Sequence, residues 1–186
     1  EPIRRISDLK GRKVWSPEGD LINETTIKTA GVTPVPLPFA DVYTGLQTGL
    51  LDTVGGTPMA AIALQWHTKI KYVVDVPLMY LIGIFAIERK AFKKISSADQ
   101  NTVRKVMGKK FRRLDLINRK DNAGARDALI SQGIEFIQPT REDLELWKTF
   151  TEEAIARLKD EGVYSPKMLD TIKQHLKVFR SQQPKS

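Results

Sequence analysis

Residues 35–52 read VPLPFADVYTGLQTGLLD, and this stretch contains the alternation that decides the fold. Pro36 and Pro38 exclude a helix and bias their neighbours toward extended geometry, so the stretch begins as an extended segment. Apolar residues then recur at helical spacing, namely Val42, Leu46 and Leu50. The stretch therefore predicts an extended segment and a helix, followed by a short strand at 51–54.

The same alternation continues on both sides of this stretch. Before it, we predict a strand over 12–17 and a helix over about 20–30, with Asp20 as the helix cap. After it, we predict a helix from about 57 to 67, a strand over 71–76 and a buried strand from Tyr80 to Glu88. Strands that alternate with short helices indicate a parallel α/β sheet, which binds ligands beyond the carboxyl ends of its strands.

The second half of the chain is more helical. Apolar spacing predicts one helix from Ser97 to about Gln132, which would be ~50 Å long and could bridge two lobes. A short strand at 133–137 precedes a helix over about 140–161, and Ser165-Pro166 suits the start of a last helix. The residues predicted to share one face of the second of these helices are Leu144, Trp147, Thr151, Ile155 and Leu158.

Composition narrows the class of protein. The chain has 186 residues, of which 41% are hydrophobic and 28% charged, as in ordinary folded domains. No apolar run reaches the ~18 residues that a membrane-spanning helix needs. Cysteine is absent, which excludes disulfides, thiolate metal sites and a cysteine nucleophile. The chain opens on Glu1-Pro2, without an initiator Met, and we expect that it has been processed, trimmed or cut from a longer protein.

The net charge of +8 is unevenly distributed. Residues 1–88 hold 8 Lys/Arg and 9 Asp/Glu, whereas residues 89–186 hold 22 and 13. The positive charge of residues 89–186 makes a basic nucleic-acid-binding module a remote alternative for the function of the chain. The basic run at 109–113 keeps helical spacing, so a solvated helix face is the simpler interpretation, and we expect no nucleic-acid partner. A basic exterior could instead favour docking near anionic lipids or an acidic permease surface.

The motif at 35–52 resembles the pattern P-M-P-F-x-E-V-Y-x-A-L-Q-x-G-x-V-D-G of the extracytoplasmic solute receptors of TRAP transporters (tripartite ATP-independent periplasmic transporters, DctP-like). Residues 8–14, DLKGRKV, are similar to that family's D-L-K-G-x-K-I entry into its second lobe. The order and spacing of such matches extend over nearly the whole chain.

The resemblance implies an α/β fold: a periplasmic-binding-protein-like (type II) lobe with a mixed, mostly parallel sheet, plus a long bridging helix and C-terminal helices. Residues 1–85 would form the ligand-binding second lobe, and 86–186 the hinge return strand and the helices, with the first lobe largely absent. It also implies a periplasmic receptor that captures a small organic solute, carrying a carboxylate, and delivers it to the membrane permease subunits of the transporter. A sensor lobe for a membrane signalling partner is the alternative.

The chain departs from the family pattern at the site itself. The family's carboxylate-clamping arginine aligns with Trp15, and its ligand-binding asparagine aligns with Gly56 or, with a one-residue gap, Thr57. An indole offers one N–H and an apolar face where arginine offers a fork of donors. The residues that we expect to contact ligand are Trp15, Asp20, Phe39, Tyr43, Gly55, Gly56 and Thr57.

We expect no enzyme activity, because the chain has no G-x-S-x-G, P-loop or H-E-x-x-H motif. Its only two histidines, His67 and His175, are far apart in sequence, so we expect no metal site and no cofactor.

Overall fold

The structure is a computed structural model that describes residues 2–79 and 81–182. The described residues form four short strands and seven α-helices, with single 3₁₀ turns between some of them. The strands are β1 (Trp15–Pro17), β2 (Val35–Leu37), β3 (Tyr72–Val74) and β4 (Glu135–Ile137). The helices are α1 (Leu21–Thr29), α2 (Val42–Thr48), α3 (Pro58–Ala63), α4 (Arg89–Phe92), α5 (Ser97–Ser131), α6 (Arg141–Asp160) and α7 (Pro166–Ser181). The 3₁₀ turns are Ile6–Leu9, Phe39–Asp41 and Trp66–Thr68.

The chain divides into two compact units. Unit 1 comprises residues 1–55, 72–76 and 136–186, and unit 2 comprises residues 56–71 and 77–135. Each unit therefore combines segments from distant parts of the sequence.

The sheets are small and parallel. In unit 1, β1 pairs with β2 in parallel, with Trp15 opposite Val35, and Val14 forms one further parallel bridge to Thr53. The predicted strand at 51–54 is thus reduced to this bridge. Strands β3 and β4 form a second two-stranded sheet. Glu135 N donates to Lys71 O, and farther along both strands Asp75 N donates to Ile137 O, which is the hydrogen-bond pattern of a parallel pair.

The core of unit 1 is mainly apolar, and a polar contact lies at its edge. Around β1 the buried apolar residues include Val14, Val32, Val42 and Leu51, and helix α6 buries Trp147, Phe150, Ala154 and Leu158. Thr25 of α1 donates its hydroxyl hydrogen to Glu161 at 2.7 Å, at the end of α6. This hydrogen bond lowers the pKa of Glu161, helped by a second one from Arg157.

Arg5 anchors the N-terminal turn on α6. Its Nε donates to Asp143 Oδ1 at 2.7 Å, and the Asp143 side chain is only 4% exposed. Asp143 also accepts from the hydroxyl and backbone N–H of Thr140, the helix N-cap. The Thr140 hydroxyl is the main cause of the lowered pKa of Asp143. The Trp147 indole N–H donates to Arg4 O at 2.9 Å, so the same turn is held twice.

The face of α6 differs from the predicted one. Trp147 and Leu158 are buried as expected, but Leu144 is 42% exposed, while Phe150 and Ala154 are buried. The buried positions follow spacings of three, four and four residues from Trp147. The buried stripe is therefore rotated away from Leu144, toward the side on which Asp143 meets Arg5.

Unit 2 consists mainly of α3 packed against the C-terminal part of α5. The predicted long helix is confirmed, since α5 runs for 35 residues and begins at the Ser96 cap, whose hydroxyl oxygen accepts from Asp99 N at 3.1 Å. Of its residues only Ala125 and Leu129 are buried, and the apolar residues Phe111, Leu114 and Ile117 are 38–46% exposed.

The predicted strand from Tyr80 to Glu88 is wrong for the part that the structure describes. Tyr80 lies outside the described residues, and residues 81–88 carry no secondary structure. Their apolar side chains are exposed, with Ile82 at 76% and Ile84 at 87%. A strand exists only through its ladder bonds to a neighbour, and none forms at 81–88 among the described residues. Within the same described part of the chain, no helix is both long and apolar enough to cross a membrane.

Candidate functional site

The structure brings together two of the predicted site residues: Trp15, the first residue of β1, and Phe39, in the 3₁₀ turn after β2. Phe39 follows β2 and meets Trp15 of β1 edge-on, with ring centroids 4.7 Å apart and planes at 77°. Such T-shaped aromatic pairs contribute about 0.5–1.5 kcal/mol beyond the area they bury. Phe39 is 56% exposed, whereas Trp15 is 5% exposed. Phe39 therefore faces solvent with Trp15 behind it.

Trp15 directs its polar group inward. Its indole N–H donates to Leu37 O at 2.9 Å, across the β1–β2 pair. The parallel register, with Trp15 opposite Val35, places this carbonyl within reach. Sequence reasoning missed Leu37 because a backbone acceptor leaves no signal in residue type. The prediction that Trp15 contacts a ligand stays a prediction.

Asp20 and Tyr43 occupy the helices that follow the two strands. Asp20 caps α1, as predicted, by accepting from Asn23 N at 3.0 Å and from Asn23 Nδ2 at 2.8 Å. Tyr43 is half-buried in the first turn of α2, which Gly49 ends with a left-handed φ of 74°. Asp20 has a structural role here, and ligand contact by either residue is still a prediction.

The loop after the Thr53 bridge contains the three remaining predicted residues. Gly55 is exposed at the end of unit 1. In unit 2, Gly56 lies against Trp66, where an added Cβ would stand 3.3 Å from Trp66 Cζ3. Thr57 caps α3 by accepting from Ala60 N at 3.1 Å. Gly56 and Thr57 thus both have local structural roles, and their contact with a ligand is likewise still a prediction.

Lys13 stabilises the segment of unit 1 that precedes this loop, by hydrogen bonds to Gly49 and Asp52. Its ammonium donates to Gly49 O at 2.7 Å, and its backbone N–H donates to Asp52 Oδ1 at 3.0 Å. Asp52 also accepts from the Thr53 hydroxyl at 2.8 Å. Asp52 therefore has the structural hydrogen bonds that are usual for a carboxylate at a strand end.

Two open hollows lie in the described part of the surface, one in each unit. That of unit 1 measures about 500 Å³ and has a polar lining: Pro2, Ser7, Asp8, Lys10, Gly11, Arg12 and Asp52. Backbone N–H groups of Arg5 and Arg4 donate to Asp8 and lower its pKa. The hollow of unit 2 measures about 480 Å³ and lies over α3 and α5, lined by Met59, Ile62, Lys120, Asp121, Gly124, Ala125 and Ala128. Neither lining includes a predicted site residue.

The described residues contain no group of three His, Cys, Asp or Glu side chains that could hold a metal ion. His67 instead meets the backbone, with Nδ1 3.1 Å from Ala61 O. Because a carbonyl only accepts, that nitrogen carries the proton.

Several curated proteins match part of the chain, two of them over about 50 residues. The 2,3-diketo-L-gulonate-binding periplasmic protein YiaO of Escherichia coli is 41% identical over 51 residues. The ectoine-binding periplasmic protein TeaA of Halomonas elongata is 44% identical over 52 residues. These matches cover 27% and 28% of this chain, and 15% of each relative.

Solved structures match nearly the whole chain in fold. A TRAP periplasmic solute-binding protein from Fusobacterium nucleatum with bound sn-glycerol 3-phosphate has a TM-score of 0.81 at 23% identity. One from Xanthobacter autotrophicus with bound β-D-galacturonate has a TM-score of 0.78 at 22% identity. The matches cover 97% and 94% of this chain, which spans about half (56%) of each solved chain. They confirm the predicted type II periplasmic-binding-protein fold.

A family model matches residues 1–161, which is most of the sequence. Its description is "Bacterial extracellular solute-binding protein, family 7", DctP. This confirms the resemblance that the motif at 35–52 indicated. The chain belongs to the DctP family of bacterial extracellular solute-binding proteins.

Proposed function

We propose that this chain is the solute-binding lobe of a periplasmic receptor that serves a TRAP-type transporter. In this role it captures a small organic anion and delivers it to the membrane permease. The observation that carries the proposal is the family match over residues 1–161. Solute binding by a receptor of this family needs no catalytic step, so the protein would act as a carrier and not as an enzyme.

The proposed solute is an organic acid or a similarly charged small molecule. Solved structures of similar fold hold galacturonate and glycerol 3-phosphate, both of which are anionic and rich in hydroxyl groups. One curated relative is named for binding ectoine, so the relatives as a group bind more than sugar acids. We therefore assign a class of solute to this lobe and not one compound.

We propose Phe39 as the main ligand contact in unit 1. Its ring is 56% exposed at the carboxyl edge of a parallel pair, where α/β sheets bind ligands. Trp15 would act through Phe39, since its N–H is bonded to Leu37 and its ring supports Phe39 edge-on. A rigid aromatic surface favours a solute that combines its charged group with an apolar face.

Ligand-induced stabilisation of this chain tests the proposal. Because the chain spans about half the length of the solved receptors, we expect weak affinity and therefore use solutes at high millimolar concentration. A solute at ten times its Kd raises the unfolding free energy by about 1.4 kcal/mol and the Tm by about 3–6 °C. The panel comprises galacturonate, glucuronate, succinate, glycerol 3-phosphate and ectoine.

Two variants separate binding at Phe39 from a general effect of solute. Phe39→Ala should lose the Tm increase. Phe179→Ala, which removes a ring of similar exposure (58%) from α7, should keep it. A panel in which no solute raises the Tm, or in which both variants respond like the unmodified chain, would overturn the proposed site.

A further inference from the structure

Helix α7 presents an apolar stripe that nothing in the described structure covers. None of its residues is buried. Spacings of four, four and three residues place four apolar side chains within about 80° of its circumference. These are Met168, Ile172, Leu176 and Phe179, which are 43–62% exposed. The same kind of spacing in α6 produces a buried face, so the exposure of the α7 stripe requires a separate explanation.

The remainder of α7 is basic. Its 16 residues include Lys167, Lys173, Lys177 and Arg180 against one acidic residue, Asp170. At 100° per residue, Lys173 and Arg180 border the apolar stripe on one side, and Lys177 lies farther round on the polar face. The helix thus has a narrow apolar face with cations at its border.

This combination fits one kind of partner. Helices with a strongly segregated apolar face, low overall hydrophobicity and Lys/Arg on the polar face lie in the plane of a membrane interface. Each Lys or Arg near an anionic leaflet strengthens the binding about fivefold. We propose that α7 binds the surface of an anionic phospholipid bilayer, with Phe179, Ile172, Leu176 and Met168 at the acyl boundary and its basic residues among the headgroups.

Two other kinds of partner for α7 would each use only one of its two features, the apolar stripe or the basic residues. A nucleic acid would bind the basic residues and would leave Ile172 and Phe179 without a role. An apolar surface of another protein, or of further receptor chain, would bury the stripe and would not require the cations at its border. A bilayer surface is the partner that accounts for both the apolar stripe and the cations at its border.

Vesicle co-sedimentation of the whole chain tests the proposal. Vesicles of phosphatidylcholine alone are compared with vesicles of equal parts phosphatidylcholine and phosphatidylglycerol, at low and at high salt. We expect binding to the anionic vesicles at low salt, weakened by salt because the charges are exposed. No sedimentation with anionic vesicles would overturn the proposal and assign the stripe to protein packing.

Three variants identify the surface. Ile172→Ser with Phe179→Ser removes two apolar side chains from the acyl boundary and should weaken vesicle binding at least 10-fold, because binding strength scales with the buried apolar area. Lys173→Gln with Lys177→Gln and Arg180→Gln should weaken it about 100-fold. The matched control, Lys109→Gln with Lys110→Gln and Arg112→Gln, removes the same charge from α5 and should have little effect. Because every substituted side chain is exposed, all three variants should keep the circular dichroism spectrum of the unmodified chain.

Each contrary outcome is decisive. Equal loss of binding in the α5 control would show attraction by overall charge, and would overturn the assignment to α7. Binding that ignores phosphatidylglycerol and the α7 cations would indicate an apolar partner. Tight binding of duplex DNA through the α7 cations, without vesicle binding, would indicate a nucleic acid. Either of these two results would overturn the bilayer proposal.

Discussion

Helices α6 and α5 have similar apolar spacing but differ in what covers it. On α6, Trp147, Phe150, Ala154 and Leu158 are at most 8% exposed. On α5, which is 15 residues longer, burial is confined to Ala125 and Leu129 near its C-terminal end. Periodicity thus predicts that a helix forms, but the burial that stabilises it depends on a partner surface.

The largest expected contrast is between Trp147 and an apolar residue of α5. Trp147→Ala removes a buried ring and its hydrogen bond to Arg4 O, and should lower the unfolding free energy by about 3–5 kcal/mol. Leu116→Ala, at a side chain 69% exposed, should change it by less than about 0.5 kcal/mol. Urea unfolding measures both, and similar losses would contradict the difference between the helices.

Within α5, Leu129 and Leu114 provide the next contrast. Leu129 is fully buried, so Leu129→Ala should cost about 3 kcal/mol through lost burial and the cavity that remains. Leu114→Ala, at 46% exposure, should have an effect several times smaller. Hydrogen exchange of α5 amides supplies the readout. Equal effects at both positions would show that the N-terminal part of α5 is covered in solution.

The pH dependence of stability gives a further comparison of α6 with α5, based on Asp143 of α6 and Asp115 of α5. Hydrogen bonds from Thr140, with Arg5 beside it, lower the pKa of Asp143 from its ordinary value near 3.8. A carboxyl with a lowered folded-state pKa stabilises the protein above its unfolded-state pKa, and this contribution is lost as pH falls through the folded value.

Asp143→Asn should therefore be less stable than the unmodified chain at neutral pH, and the gap should shrink as the pH falls below about 4. Asp115→Asn, on α5, is the control, because Asp115 pairs with Arg119 at an exposed site. Thermal unfolding between neutral and acidic pH measures both variants. A gap that is constant with pH would refute the role of the Asp143 charge.

The smallest expected effect concerns Gly56 of unit 2, which lies against the buried ring of Trp66. Gly56→Ala would place its Cβ 3.3 Å from Trp66, which is 2% exposed, and should cost about 1 kcal/mol because the ring must shift. Gly55→Ala meets open space and should be close to neutral. If Gly55→Ala proved the more damaging of the two in thermal unfolding, Trp66 would not be packed as described.

Helix starts and ends were predictable from local chemistry. Asp20, Thr57 and Thr140 each accept the capping hydrogen bond that their residue types suggest, and Gly49 ends α2 in the left-handed region. These features depend only on neighbours in sequence. The long helix α5 was predictable for the same reason.

Features that depend on distant partners were not predictable from the sequence. Apolar composition at 81–88 indicated a buried strand, yet strands require a neighbouring ladder, and the described residues there form none. The buried face of α6 is set partly by Arg5, which is 138 residues away. At the candidate site, motif alignment located Trp15 and Phe39, but the Leu37 carbonyl that accepts from Trp15 is determined by register alone.

The exposed segment 81–87, LIGIFAI, also affects how the chain behaves at high concentration. It contains no charge and no proline, and its residues favour extended pairing, which is the composition of segments that form intermolecular β-sheets. Glu88, Arg89 and Lys90 follow directly and act as charged gatekeepers that oppose such stacking. Because the segment is exposed in the described structure, we expect it to determine the concentration at which the chain begins to aggregate.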